Sequence, residues 1–209
     1  MPAAVPTLAA RWLIPRLPDF ATQHPDVVVH IETCTRPFMF ADAQVAAALY
    51  VGMPVQIAQW AGTTLVELML ETVVQVCSPR LLSGKAALPL LQQSTWPEGW
   101  RQWFAAAGLE YTSASLASLA SLAGPRYELF SMTTAAACGM GVALVPSLLI
   151  EAEPARGELV IANPLPMPGD RYYYWITPQG TSVWPVVTTF LLWSQRRASL
   201  AAHSLIDQV

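Results

Sequence analysis

Five short apolar runs, rich in β-branched and aromatic residues and separated by segments with helical spacing, restrict this chain to an α/β fold. The sheets are expected to be mainly parallel. Val27-Val28-Val29-His30-Ile31 follows a Pro-Asp turn and predicts a first strand. Val45 to Val51, ended by Gly52, predicts a second, and Thr72 to Cys77, stopped by Ser78-Pro79, a third. Gly141 to Pro146 comes after an Ala-rich helix that ends at Gly139. Tyr172 to Ile176 is the most β-prone run and closes at Thr177-Pro178.

Between these runs lie helical patterns. Thr7 is placed to cap the first helix, whose apolar face is Trp12, Leu13, Leu17 and Phe20; Pro15 and Pro18 disturb its early turns. Thr95 to Gly108 carries Trp96, Trp100, Trp103 and Phe104 at i, i+4, i+7 and i+8, a stripe that reads as a core-facing surface. Ser131 to Cys138 and Pro185 to Ala198 complete the set, with Val186, Phe190 and Trp193 along one side of the last. Ser113 to Ala123 repeats Ser-Leu-Ala, a three-residue period that suits neither helix nor strand. It reads as a low-complexity connector.

A chain of 209 residues suffices for one large domain or two small lobes around a buried core. Hydrophobic residues make up 54% and charged residues 12%, yet no uncharged apolar run has the length and flanks of a membrane span. The excess apolar content fits buried strands and a subunit interface. Net charge is −3, Lys85 is the single lysine, and Arg196-Arg197 is the only adjacent basic pair, so direct binding to DNA is excluded for this chain. Cys34, Cys77 and Cys138 and three scattered histidines have no metal-ligand spacing, so no metal is expected and reduced thiols in a cytoplasmic protein are. GxSxG, HExxH and P-loop motifs are lacking. Gly139-Met140-Gly141 leads into a strand, the wrong context for a dinucleotide, and Glu151 and Glu153 read as a solvated loop. No enzyme activity and no cofactor follow. A basic, apolar secretory leader is not seen at the start.

Several strings, taken in order, carry a resemblance. Thr7-Leu8-Ala9-Ala10-Arg11-Trp12-Leu13-Ile14-Pro15-Arg16-Leu17 runs on through Pro18, Asp19 and Phe20 to His24-Pro25. Leu49-Tyr50-Val51-Gly52, Trp60-Ala61-Gly62 and Val76-Cys77-Ser78-Pro79-Arg80-Leu81-Leu82 follow. Ala136 to Pro146, Tyr173-Tyr174-Trp175 and Phe190-Leu191-Leu192-Trp193 complete the series. In order and spacing they resemble the effector-binding domain of LysR-type transcriptional regulators, in the branch of the glycine-cleavage and β-lactamase gene activators.

The resemblance implies two Rossmann-like α/β lobes joined by two crossover strands, as in type-2 periplasmic binding proteins. Residues 1–75 and 173–209 would form one lobe and 76–172 the other. The family's N-terminal helix-turn-helix domain is absent from this chain. A small-molecule effector would sit in the inter-lobe cleft near helix N-termini, whose unpaired N–H groups attract anions. The implied ligand-binding residues are Pro6, Thr7, Leu8, Tyr50, Trp60, Ser78, Phe130, Ser131 and Tyr174. Each also has an ordinary structural role: helix capping for Thr7 and Ser131, core packing for Tyr174, a packed turn for Trp60.

Where relatives place an acid and an arginine before the strand-end glycine, this chain has Ala46 and Tyr50. Where they place serines, it has Glu128, Leu129 and Phe130. A more apolar pocket and a less polar effector follow. The resemblance further implies a homodimer, a tetramer at full length with the first helix at the interface, DNA contact only through the missing domain, and no membrane. The alternative is a free-standing solute-binding protein of the same fold.

Overall fold

A computed structural model of the chain describes residues 2–34, 38, 40, 45–57, 60, 62–82, 88–109, 127–180 and 184–206. Lys85 and the Ser-Leu-Ala connector at 113–123 fall outside them. The chain divides into two compact units, Met1–Glu71 with Gly169–Gln208, and Thr72–Pro168. Two long strands, β4 (Thr63–Cys77) and β6 (Val160–Pro178), run from one unit into the other and are hydrogen-bonded neighbours.

In the first unit β1 (Pro2–Ala4) pairs in parallel with β2 (Glu32–Thr33) and with β3 (Ala47–Gly52), while β3 pairs antiparallel with β6. The sheet is therefore mixed instead of mainly parallel, because the returning strand β6 enters beside β3 from the opposite direction. The run Val27–Ile31, expected to be a strand, is not one. The β1–β2 register, with Ala3 opposite Glu32, would set Ile31 against Pro2, which has no N–H to donate to the ladder.

The first helical stretch begins at α1 (Pro6–Leu8). Val5, in extended conformation, is its N-cap residue, and Pro6 takes the first helical position, where a missing N–H costs nothing. Thr7 is thus inside the helix and does not cap it. Pro15 would collide with the carbonyl four residues back. The chain widens into a π-helical turn at Ala9–Leu13, with the Ile14 N–H reaching the Ala9 carbonyl, then tightens to 3-10 at Ile14–Arg16. Regular α2 (Leu17–Gln23) follows. Trp12 and Leu13 are 1% and 0% exposed within the chain, so they offer nothing to a partner chain; Ile14, 48% exposed, is the apolar residue this helix presents. A short α3 (Pro54–Ile57) comes after β3.

The last helix of the chain, α8 (Pro185–Ile206), is eight residues longer than its sequence pattern suggests. It locks onto α2: Phe190 and Trp193 pack on Phe20 at ring distances of 5.1 and 5.0 Å, and the Trp193 Nε1–H donates to the Asp19 carboxylate at 2.8 Å.

In the second unit the end of β4 pairs antiparallel with β5 (Ala143–Pro146). Val74 and Val76 join one apolar cluster with Met132, Ala136 and Val145. Val73 and Cys77 join another with Trp100, Trp103 and Leu144. Side chains alternate along a strand, so burial of both sets makes residues 73–77 a continuous apolar segment interrupted only by Gln75. After β4 comes α4 (Pro79–Leu82), and later α5 (Gly99–Ala106). The expected start at Thr95 is too early, because the Trp96 ring packs over the Gly99 backbone, 2.8 Å from where a Cβ would lie. Trp100 and Trp103 face the core as expected, and the Trp100 Nε1–H donates to the Leu91 carbonyl at 2.8 Å. The helix α6 (Leu129–Ala137) ends in a Schellman motif: Met140 N–H to Ala135 carbonyl and Gly139 N–H to Ala136 carbonyl, both 3.0 Å, with Gly139 at φ +83°. A single turn, α7 (Ala152–Ala155), precedes β6.

Candidate functional site

The start of α1 is fixed by backbone alone. The Val5 N–H donates to the Leu49 carbonyl at 3.2 Å and the Cys34 N–H to the Ala4 carbonyl at 3.0 Å, tying the helix entrance to β3 and to the end of β2. Pro6 has no N–H, so the first-turn amides come from Thr7 and Leu8. Leu8 itself is buried and would meet a ligand only through its backbone; Thr7 is half-buried with no side-chain cap bond. These amides and the Thr7 hydroxyl are the polar groups at this corner.

Next to it stands an aromatic wall. Tyr50 lies opposite Tyr174 in the β3–β6 register, and the Trp60 ring is 5.7 Å from that of Tyr50. Trp60 also meets Phe38 edge-on at 5.4 Å and Phe40 at 5.7 Å, while Tyr174 tilts against Tyr172 at 6.0 Å. The Trp60 carbonyl accepts the Thr63 hydroxyl at 2.6 Å and so fixes the turn that carries the ring. Burial, then the charge of Glu67 and the neighbouring Tyr172, hold the Tyr174 phenol above its ordinary value, so it is a neutral hydroxyl at pH 7.

Val5, Cys34, Phe38, Tyr50 and Trp60 line a half-open cavity of about 10 Å³, roughly the room one water needs. Among the described residues its lining has no charged side chain. Thus Tyr50, Trp60 and Tyr174 are brought into one cluster beside the helix start that holds Pro6, Thr7 and Leu8. Cys34, Phe38 and Phe40 belong to the same wall, and no spacing in the sequence marks them.

The remaining candidates lie in the second unit. Ser78 is buried at the end of β4, its carbonyl accepting the Leu81 N–H at 2.9 Å, and its Cβ lies 4.0 Å from where one on Gly139 would stand. Ser131, expected to cap α6, is its third residue and exposed, because Glu128 takes the N-cap position and its carbonyl receives the Met132 N–H at 2.8 Å. Ser78 and Ser131 therefore sit at opposite ends of α6, with about 12 Å of helix rise between Ser131 and Gly139. Phe130 is in the first turn of α6; its side chain lies outside the described residues.

A second polar constellation has no sequence signal at all. Glu71 and Arg171, from the two long strands, form an ion pair at 2.7 Å, and the Tyr173 hydroxyl donates to the other Glu71 oxygen at 3.2 Å. Burial pushes the Glu71 carboxyl up, and the Arg171 guanidinium opposes it. Among the described residues no group of His, Cys, Asp and Glu could hold a metal, and no helix is long and apolar enough to cross a membrane.

Comparison with known proteins agrees with this architecture. Residues 3–199 match the family model described as LysR substrate binding domain. The chain is 27% identical over 165 residues to the glycine cleavage system transcriptional activator of Escherichia coli K12, covering 75% of this chain and 50% of that protein. It is 32% identical over 165 residues to the HTH-type transcriptional regulator TrpI of Pseudomonas aeruginosa, covering 73% and 52%. It spans about half the length of these curated relatives. Among solved structures, the effector domain of the transcriptional regulator AmpR of Pseudomonas aeruginosa superposes with a TM-score of 0.74 at 22% identity, covering 98% of each chain. The fold is the expected periplasmic-binding-protein-like one, and the chain belongs to the LysR substrate-binding-domain family.

Proposed function

We propose that this chain is the effector-sensing portion of a LysR-type transcription regulator, and that its effector is held by Thr7, the first-turn amides of α1, Tyr50, Trp60 and Tyr174. The observation that carries this reading is the aromatic wall beside the first-turn amides of α1, in a chain whose family is defined by substrate binding. Among the described residues no charged side chain lines the small cavity there, so the effector is an apolar or aromatic body with one hydrogen-bonding group, matched to the Thr7 hydroxyl and the neutral Tyr174 phenol. The cavity holds about one water, so the effector enters by displacing aromatic side chains. Binding then biases one arrangement of the protein over another, which is how a non-catalytic domain transmits a signal. Contact with DNA is assigned to other parts of such a protein, in keeping with the net charge of −3. Ser78 and Ser131 are secondary candidates, and cytoplasmic residence follows from the regulatory role.

A thermal-shift screen of amino acids, aromatic acids and cell-wall fragments tests the site. An effector at about 100 times its dissociation constant stabilises the chain by roughly 2.7 kcal/mol. Thr7→Ala should abolish most of that shift while leaving the unliganded chain nearly as stable, since Thr7 caps nothing. An undiminished shift in Thr7→Ala would put the site elsewhere. The regulatory reading also includes self-association: light scattering at micromolar concentration should give a dimer, and a monomer alone would count against that part.

A further inference from the structure

We propose that the groove between the end of α2 and the outer face of α8 is a second small-molecule site, taking a monoanionic carboxylate with an apolar body. The groove has a volume of about 370 Å³, within the range of small-ligand pockets, and lies entirely in the first unit. His24 forms one wall; Leu192, Trp193, Arg196, Arg197 and Leu200 form the other.

Its charge is set by Asp19. That carboxylate accepts from the Trp193 indole at 2.8 Å, from the Gln23 amide at 2.8 Å, and from Arg197 in an ion pair. The Trp193 bond first, then Arg197, hold the Asp19 carboxyl below its ordinary value of 3.8, so it stays ionised and neutralises Arg197. Arg196 is exposed and has no ion-pair partner among the described residues. Among the described residues one net positive charge remains, which suits a monoanion; a dianion would bring a second charge against Asp19.

The apolar half of the argument comes from helix spacing. Leu192 and Leu200, 50% and 61% exposed, are at i−4 and i+4 from Arg196, on one stripe of α8. Trp193, stacked on Phe190 at 5.5 Å and nearly buried, makes a rigid floor between them. A guanidinium bracketed by two exposed leucines over an indole matches a carboxylate head and an aryl or alkyl body.

The test is an NMR titration of the isotopically labelled chain with octanoate, phenylacetate and the neutral phenylacetamide, following the Trp193 indole N–H. Both carboxylates should give saturable shifts, and phenylacetamide should bind about tenfold more weakly or worse. Arg196→Gln, an exposed change with a parent-like spectrum, should weaken the carboxylates about tenfold, Arg196→Lys should restore part of the loss, and Thr7→Ala should change nothing. Absence of saturation up to about 10 mM, equal binding of acid and amide, or an unaltered Arg196→Gln titration would overturn the proposal. So would a loss confined to Thr7→Ala, which would place the probes in the first-helix site. If Arg196→Gln changes only the oligomeric state, the groove is a protein contact and the ligand reading falls.

Discussion

Trp175→Ala will lower the unfolding free energy by about 3–5 kcal/mol, the range for deleting a large buried aromatic side chain. Trp175 is 0% exposed. Its indole N–H donates to the Ser194 hydroxyl at 2.7 Å, and that hydroxyl donates to the Leu191 carbonyl at 2.7 Å. Its ring lies 5.4 Å from Phe190, which meets Phe20 and Trp193 in turn. One side chain thus joins β6, α8 and α2, and its loss opens a cavity the surrounding rings cannot collapse to fill. Trp175→Phe keeps most of the ring and removes the donor, so it should cost about 1–2 kcal/mol. Urea unfolding followed by far-ultraviolet circular dichroism reads both; a cost below about 1 kcal/mol for the alanine variant would show that the cluster is not a keystone.

Arg171→Met will cost about 3–5 kcal/mol at neutral pH, because it strands the Glu71 carboxylate in the interior with one phenol as partner. Glu71 is 3% exposed, and both the Nε and an Nη nitrogen of Arg171 bond its Oε2, at 2.8 and 2.7 Å. Desolvation lifts the Glu71 carboxyl above its ordinary value of 4.5, Arg171 and Tyr173 pull it down, and Asp170 adds to the lift. In a folded chain that holds this proton more tightly than the unfolded one, the contribution to stability is complete below about 4.5 and is lost as pH rises through the folded value.

Removing Arg171 widens that window upward. The deficit of Arg171→Met should therefore shrink on going from pH 8 to pH 5, by up to about 1.4 kcal/mol for each pH unit within the window. Replacing Glu71 as well, with an apolar residue of similar size, should recover most of the loss. A deficit that stays constant from pH 5 to pH 8 would mean that Glu71 is not the group left unpaired.

Strand content was legible where a run had a complete partner. Ala47–Gly52 and Ala143–Pro146 lie within a residue or two of their apolar runs, because burial on the sheet selects the same residues that the pattern marks. The two crossover strands were seen only as their buried cores, Thr72–Cys77 and Tyr172–Ile176. Their half-exposed extensions carry glutamates, prolines and an asparagine that break alternation, and only pairing with each other keeps them extended. Val27–Ile31 shows the converse, a β-prone run that pairs with no strand among the described residues. Thr7 and Ser131 are the right residue types for caps, displaced because Pro6 and Glu128 start their helices earlier.

From its residues alone, this chain specified an α/β class, a family and the polar groups at the start of the first helix, since periodicity, ordered motifs and capping chemistry are local properties. Tertiary structure alone decided that Trp12 and Leu13 face inward, that Tyr50, Trp60 and Tyr174 form one wall with Phe38 and Phe40, and that Glu71 meets Arg171. Each depends on strand register or on chain return over tens of residues, and a contact between residues 100 apart leaves no periodic trace in either segment.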